Sequence, residues 1–184
     1  MLRTRTTTIG GCLELFPAVF EDARGRVVKS FNREQFEAQG LRSDFVESYY
    51  SSSSKNVLRG LHFQLPPHAH AKLVYCTKGR VLDVALDVRS GSPTFGKYEL
   101  LYLNEEAANM VYLAEGLAHG FLVLSDSATL VYATTSGYAP ASDSGIRWDS
   151  AGIPWPTVVP IVSERDSRLV PLDEFVSPFA VTGS

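Results

Sequence analysis

The sequence predicts an all-β fold, a sandwich or barrel of jelly-roll type. Three observations carry that expectation. Apolar residues alternate over short runs, as in Val81 to Val88, where Leu82, Val84, Leu86 and Val88 share one face. Turn residues separate such runs at a spacing of roughly 8–12 residues, the rhythm of an antiparallel all-β domain. Helix start and stop signals are confined to one short stretch near the front.

Taken in order, the chain opens on Met1-Leu2-Arg3-Thr4-Arg5-Thr6-Thr7-Thr8. This segment is basic but no apolar region follows it, so no signal peptide is expected. Glu14 to Phe20 and Val27 to Phe31 read as the two strands of an arm covering about residues 10–40. Asn32 is placed to cap a short helix, with Gln35 three residues later, Phe36 as its apolar contact and Gly40 as its close. Ser51-Ser52-Ser53-Ser54 is of low complexity. The core, about residues 45–140, then holds Val57 to Gln64, Leu73 to Cys76, Val81 to Val88, Tyr98 to Leu103, Met110 to Leu113, Phe121 to Leu124 and Ala128 to Thr134. All are runs rich in β-formers. Lys78-Gly79, Ser90-Gly91-Ser92-Pro93, Glu115-Gly116 and Ser125-Asp126 supply the turn chemistry between them. After Asp149 Pro and Ser become frequent, and the tail, about residues 150–184, reads as loop with one helical turn at Leu172 to Phe175. With no linker and no repeat, residues 1–184 read as a single domain.

Composition excludes several classes. The 184 residues are 45% hydrophobic and 20% charged, which permits a core without disulfide or metal staples and excludes disordered, collagenous and disulfide-framework chains. A net charge of −3 offers no basic field for nucleic acid. Cys12 and Cys76, far apart in sequence, read as buried small hydrophobes in a reducing compartment. No apolar run approaches the ~18 residues of a membrane span. A soluble, cytoplasmic protein without membrane or nucleic-acid partners is expected.

The residues able to do chemistry are few. In Leu58-Arg59-Gly60-Leu61-His62-Phe63-Gln64, a regular strand sends Arg59 and His62 to opposite faces. A bulge at Gly60 turns both into one cavity; the competing reading is an edge strand with a solvated Arg and a satisfied His. His68 and His70 have the spacing of metal ligands on a strand, and His119 is available as a third. Metal-binding cupins follow His-x-His by a Glu, whereas here Val74 and Tyr75 follow and no Glu occurs before Gly79. The Lys72 ammonium also repels a cation, and the plain reading of His68 and His70 is a wet, Pro-rich loop. Lys72 itself is either a snorkelling surface residue or a cation aimed at developing negative charge. Tyr132, on an apolar strand, is either core or a polar handle in a site. Ser163-Glu164-Arg165-Asp166 reads as a solvated loop.

Nine words in order extend this reading: Asp22-Ala23-Arg24-Gly25, Leu58 to Gln64, Lys72-Leu73-Val74, Asp83 to Arg89, Ser92 to Gly96, Glu115 to Phe121, Tyr138-Ala139-Pro140, Ile153-Pro154-Trp155-Pro156 and Ser163 to Asp166. From about Phe20 to Pro171 the chain thereby resembles the dTDP-4-dehydrorhamnose 3,5-epimerases. The resemblance implies a cupin-type jelly-roll barrel with short peripheral helices and an N-terminal strand arm exchanged in a homodimer. It implies proton exchange beside the ketone of a nucleotide-diphosphate-linked 4-keto-6-deoxyhexose, with no cofactor and no metal. His62 matches the base, Asp166 its orienting carboxylate, Lys72 the cation at the enolate oxygen and Tyr132 the acid on the opposite ring face. Asp83 and His119 match supporting polar residues. Arg24 and Arg59 match diphosphate ligands, and Glu47, Gln64 and Tyr138 stand with the substrate-binding residues.

Departures from the family pattern cluster on the nucleotide side. Arg26 and Lys29 stand where the family has an aromatic residue and Glu, and Glu47-Ser48-Tyr49-Tyr50 replaces Gln-Asp-Asn-His. A carboxylate at position 47 suits an exocyclic amine, which thymine lacks, so a CDP- or GDP-linked sugar stands beside the dTDP-linked one. Ala133, Ser136-Gly137, Ala114 and His70 also depart and shape the sugar pocket, so inversion at C3, at C5 or at both is open. Two readings of other classes are a metal-dependent cupin built on His68, His70 and His119, and a non-catalytic sugar-nucleotide binder.

Overall fold

The structure, a computed structural model, describes residues 1–157 and 159–180. Its strands are β1 (Arg3–Thr6), β2 (Cys12–Phe16), β3 (Ala18–Asp22), β4 (Gly25–Lys29), β5 (Glu47–Ser54), β6 (Leu58–Gln64), β7 (Lys72–Lys78), β8 (Arg80–Asp87), β9 (Tyr98–Asn104), β10 (Met110–Leu113), β11 (Leu117–Val123), β12 (Ser127–Thr134) and β13 (Asp143–Gly145). Two short helices, α1 (Arg33–Glu37) and α2 (Glu164–Ser167), and a 3-10 turn at Leu172–Glu174 complete the elements among the described residues. The chain is thus mostly β, as the alternation predicts.

The strands form a six-stranded sheet, in the order β1-β2-β10-β7-β12-β5, and a five-stranded sheet, β13-β6-β11-β8-β9. The two sheets face each other across a shared apolar layer. Val74, Cys76, Val111, Leu113 and Leu130 of the first meet Val81, Ala85, Leu101, Leu103, Phe121 and Val123 of the second. Cys12 and Cys76 are free and buried, and burial pushes their thiols up to about 12 and about 11, as the small-hydrophobe reading expects.

The predicted apolar stripe of β8 lies on the other side of its sheet. Val84, Leu86 and Val88 pack outward against Phe63, Ile146, Ile153 and Phe179, so β8 is buried on both faces. The tail after Asp149 is a cover over the five-stranded sheet, joined by Trp155, Val170, Leu172 and Phe175. The face of β8 toward the other sheet carries Val81, Asp83, Ala85 and Asp87, which is how Asp83 enters the interior.

Three sequence readings change. The strand expected over Glu14 to Phe20 is two strands, because Pro17 has no N–H to continue a ladder. β2 joins the main sheet between β1 and β10, and β3 pairs with β4 alone as a hairpin. The serine run is the second half of β5, and its low β-propensity is overridden by pairing with β12 along the strand's whole length. The charged quartet is α2, capped by Ser163, whose Oγ accepts from Asp166 N at 3.0 Å, with Asp166 buried. The first helix is as read: Asn32 accepts from Gln35 N at 3.0 Å, and Phe36 packs on Leu15, Leu73 and Met110. No helix among the described residues is long and apolar enough to cross a membrane.

Candidate active site

A cavity of about 500 Å³ opens between the sheets, walled by β6 and β11 on one side and β5, β7 and β12 on the other. His62, Lys72, Tyr132, His119, Arg59, Glu47, Gln64 and Tyr138 all line it. Residues from both ends of the sequence reading therefore meet in one place, on strands from two different sheets.

The β6–β11 ladder shows why Arg59 and His62 share the cavity. His119 pairs with His62 and Phe121 with Arg59, so two residues of β6 oppose Gly120 alone. That is a bulge, and it cancels the alternation that otherwise separates the two side chains. Gly60 lies at φ +122°, and a Cβ there would stand 2.5 Å from Gly120 Cα, so only glycine permits this approach.

His62 Nε2 lies 2.7 Å from Asp166 Oδ1, and Asp166 Oδ2 accepts from Gly60 N at 3.1 Å. The ionised Asp166 carboxylate has no proton to donate, so the imidazole donates Nε2–H and keeps its lone pair on Nδ1. Burial raises the Asp166 carboxyl, but the bonds from His62 and Gly60 outweigh it and hold it below the usual carboxylate range. Burial lowers the His62 imidazolium, more than Asp166 raises it, with Lys72 and Arg165 adding to the lowering. The imidazole is neutral at neutral pH. Arg165 Nη1 stands 3.1 Å from His62 Nε2 and 3.4 Å from Asp166 Oδ1, and its other nitrogen is 2.8 Å from Asp143.

Lys72, first residue of β7, is buried and donates to His62 O at 2.9 Å. Burial pushes the ammonium down to about 8, against the pull of the Asp143 and Asp83 carboxylates. The snorkelling reading is thereby set aside: the charge sits in the cavity wall, where an adjacent oxyanion is stabilised far more than in water. Tyr132 on β12 is also buried, and burial raises its phenol well above the ordinary range, so it stays protonated. Its ring is stacked on Tyr49 and meets the His119 ring edge-on, and its hydroxyl is 3.2 Å from Ser51 Oγ. Behind it, His119 Nε2 and Asp83 Oδ2 form a buried pair at 2.8 Å.

The binding residues divide. Arg59 faces the cavity and donates to Ser53 Oγ at 3.0 Å. Gln64 lines it too, but its amide is spent on the chain: Oε1 accepts from Ala139 N at 2.6 Å, and Nε2 donates to His68 O at 2.9 Å and Gly137 O at 3.1 Å. Its work is to hold the loop that carries Tyr138. Glu47 Oε2 accepts from Tyr138 N at 2.8 Å, and Tyr138 OH donates to Asp143 at 3.2 Å. Arg24 is not brought to this chain's cavity. It sits at the exposed tip of the β3–β4 hairpin, paired with Asp22.

The metal reading does not hold geometrically. Among the described residues no group of three His, Cys, Asp or Glu is disposed to ligate one ion. His68 Nδ1 is tied to Ser142 Oγ at 3.0 Å, His70 Nδ1 faces Gln64 at 3.2 Å, and His119 is committed to Asp83. The spacing that suggested ligands presumes a strand, whereas His68 and His70 lie in the turn before β7.

Sequence reasoning missed Ser51, Asp143 and Arg165 as cavity residues and placed Tyr49 only near the base. Glu47, Tyr49 and Ser51 share one face of β5 by simple alternation, a signal available once the serine run is taken as strand. Asp143 has no comparable local signal.

A family model described as dTDP-4-dehydrorhamnose 3,5-epimerase matches residues 6–174. The dTDP-4-dehydrorhamnose 3,5-epimerase of Escherichia coli K12 is 47% identical over 174 residues, covering 92% of this chain and 94% of that protein. The dTDP-4-dehydrorhamnose 3-epimerase of Streptomyces niveus is 38% identical, covering 94% and 85%. The crystal structure of the dTDP-6-deoxy-D-glucose-3,5-epimerase of Legionella pneumophila, in complex with dTDP-4-keto-L-rhamnose, superposes with a TM-score of 0.91 at 34% identity, covering 96% of this chain and 95% of that one.

Proposed function

This chain belongs to the dTDP-4-dehydrorhamnose 3,5-epimerase family, isomerases of nucleotide-linked 4-keto-6-deoxyhexoses in deoxysugar biosynthesis, and on that premise we propose how its residues carry the reaction. His62 Nδ1 takes the proton from a ring carbon beside the C4 ketone. The electron pair of that C–H bond moves into the ring and leaves negative charge on the C4 oxygen. Lys72 stabilises this enolate. Tyr132 gives its phenolic proton to the opposite face of the same carbon, which inverts it. The phenolate then takes a proton from solvent and the imidazolium returns one, so no atom is gained or lost. Asp166 keeps the imidazole in the required tautomer and stabilises the imidazolium.

One observation carries the reading. His62 and Tyr132, from different sheets, line one cavity into whose wall a buried cation is built. Arg59 and the Glu47–Tyr138 segment stand at the nucleotide end. We read the two facing sheets as a cupin-type jelly roll forming one domain. We read the protruding hairpin, with Val19, Phe20 and Val27 exposed, as the arm of a cytoplasmic homodimer that carries Arg24 to the partner's cavity. The substrate of this reading is a dTDP-linked sugar.

The test is NMR of dTDP-4-keto-6-deoxyglucose in D₂O with the protein. Deuterium is expected at C3, at C5 or at both, with inversion, and His62→Ala is expected to slow incorporation by about 10³-fold. Wild-type-like incorporation in His62→Ala overturns the assignment of the base. Preference for the CDP- or GDP-linked sugar overturns the assignment of the nucleotide.

A further inference from the structure

We propose that Tyr49 is a positioning residue for Tyr132, holding the phenol at the angle from which it returns its proton to the sugar; this rests on the reading of Tyr132 as the acid. Besides its packing in the apolar layer between the sheets, Tyr132 has three aromatic or polar neighbours. The His119 ring meets it edge-on at 6.0 Å, with an interplanar angle of 74°. Ser51 Oγ holds the hydroxyl at 3.2 Å. Tyr49 lies flat against one face, with centroids 4.7 Å apart and 15° between planes. His119 is itself locked to Asp83, and Ser51 meets the hydroxyl. Tyr49 is the wall that fixes the ring's plane.

The stack follows from strand register. Tyr49 of β5 is directly opposite Tyr132 of β12, and opposed residues project to the same face of a sheet. β5 is the edge strand beside β12, and among the described residues no strand lies beyond it to replace the ring. The residue is 45% exposed, so its packing adds little to the core. A phenol turns about two bonds, and without the stack Tyr132 keeps its packing in the core layer, the His119 edge and the Ser51 hydroxyl but loses its one flat ring contact among the described residues. Proton return is sensitive to such angles, since a displacement of about 1 Å at a reacting group can cost about 100-fold.

Misplacing the acid has a signature that general loosening lacks. His62 still breaks the C–H bond, and its proton exchanges with D₂O. With Tyr132 out of line, the same imidazole returns deuterium to the face it came from. The substrate is then labelled without inversion. The initial ratio of deuterated, uninverted substrate to inverted product reads the position of Tyr132 directly.

The experiment compares wild type with Tyr49→Leu, Tyr49→Thr and Tyr49→Phe on dTDP-4-keto-6-deoxyglucose in D₂O, with circular dichroism and thermal unfolding as fold controls. Tyr49→Leu and Tyr49→Thr are expected to raise that ratio by about tenfold or more, with KM near wild type, and Tyr49→Phe to restore it. A folded Tyr49→Leu or Tyr49→Thr variant with the wild-type ratio overturns the proposal, whether its overall rate is kept or has fallen for exchange and inversion alike. Wild-type protein that neither exchanges nor inverts the substrate overturns the underlying reading and the proposal with it.

Discussion

Two carboxylate–imidazole pairs sit within one cavity wall and differ in access. His119 and Asp83 are both sealed from water, whereas the His62 side chain is 28% exposed beside a buried Asp166. Under the proposed mechanism the His62 imidazole collects a proton from substrate and releases it to solvent, which needs that opening. Under the proposed mechanism Lys72 sets the other boundary of activity. Its ammonium, pushed down to about 8 by burial, loses its charge near that pH, and His62 gains one only below its ordinary 6.5. The kcat/KM profile is therefore expected to fall on the alkaline side near pH 8 and on the acid side below pH 6.5. Lys72→Met is expected to lower kcat by about 10²–10³-fold and to abolish the alkaline limb. A limb unchanged in that variant would assign the ionisation elsewhere. Folding follows the same linkage with a definite sign. Between about 8 and the usual 10.5 the unfolded chain binds the Lys72 proton and the folded chain does not. Stability contributed by this residue therefore rises with pH across that window.

At the level of single elements, the β6–β11 bulge and the cap of α2 do the assembling. The bulge turns Arg59 and His62 the same way, and the Ser163 cap places Asp166 against both His62 and Gly60. Gly60→Ala is expected to cost about 3 kcal/mol or more in urea unfolding, because a Cβ would strike the Gly120 backbone. Turnover should fall with it, since the Asp166–Gly60 contact and the direction of His62 depend on the same backbone. A variant with wild-type stability would show that the bulge is not held by this close approach. By contrast, the word Asp83 to Arg89 is half scaffold. Asp87 accepts from Arg89, Ser92 and Thr94, tying the turn after β8 to its own strand. Burial raises that carboxyl, but these bonds outweigh it and bring it down to about 2. Matching words thus mark turns as well as chemistry.

Over the whole molecule, charge and apolar surface are concentrated in two different places. The chain is net acidic at −3, yet Arg59, Lys72 and Arg165 all face one cavity, which suits a dianionic diphosphate without a general basic surface. The β3–β4 hairpin projects Val19, Phe20 and Val27 outside both sheets, and exposed apolar residues on a protruding ribbon favour a second surface. If the hairpin is the proposed dimer arm, wild type is expected to sediment as a dimer and the double variant Phe20→Ser/Val27→Ser as a monomer with an intact core. Equal sedimentation of the two proteins would remove the hairpin from the interface.

By itself the sequence determined the β class, most strand positions and the first helix, because alternation, caps and turn chemistry are local properties. His62, Lys72 and Tyr132 stood out only through the resemblance of their words to the family's, since each alone admits a plain structural reading. Tertiary structure alone decided which strands face each other and which side of β8 is interior. It alone showed that a serine run is a strand and that a charged quartet is a helix burying a carboxylate. Each of these depends on hydrogen bonds or contacts between residues far apart in the chain: Ser51 pairs with Leu130 and Asp166 reaches Gly60, and local propensity carries no record of such partners.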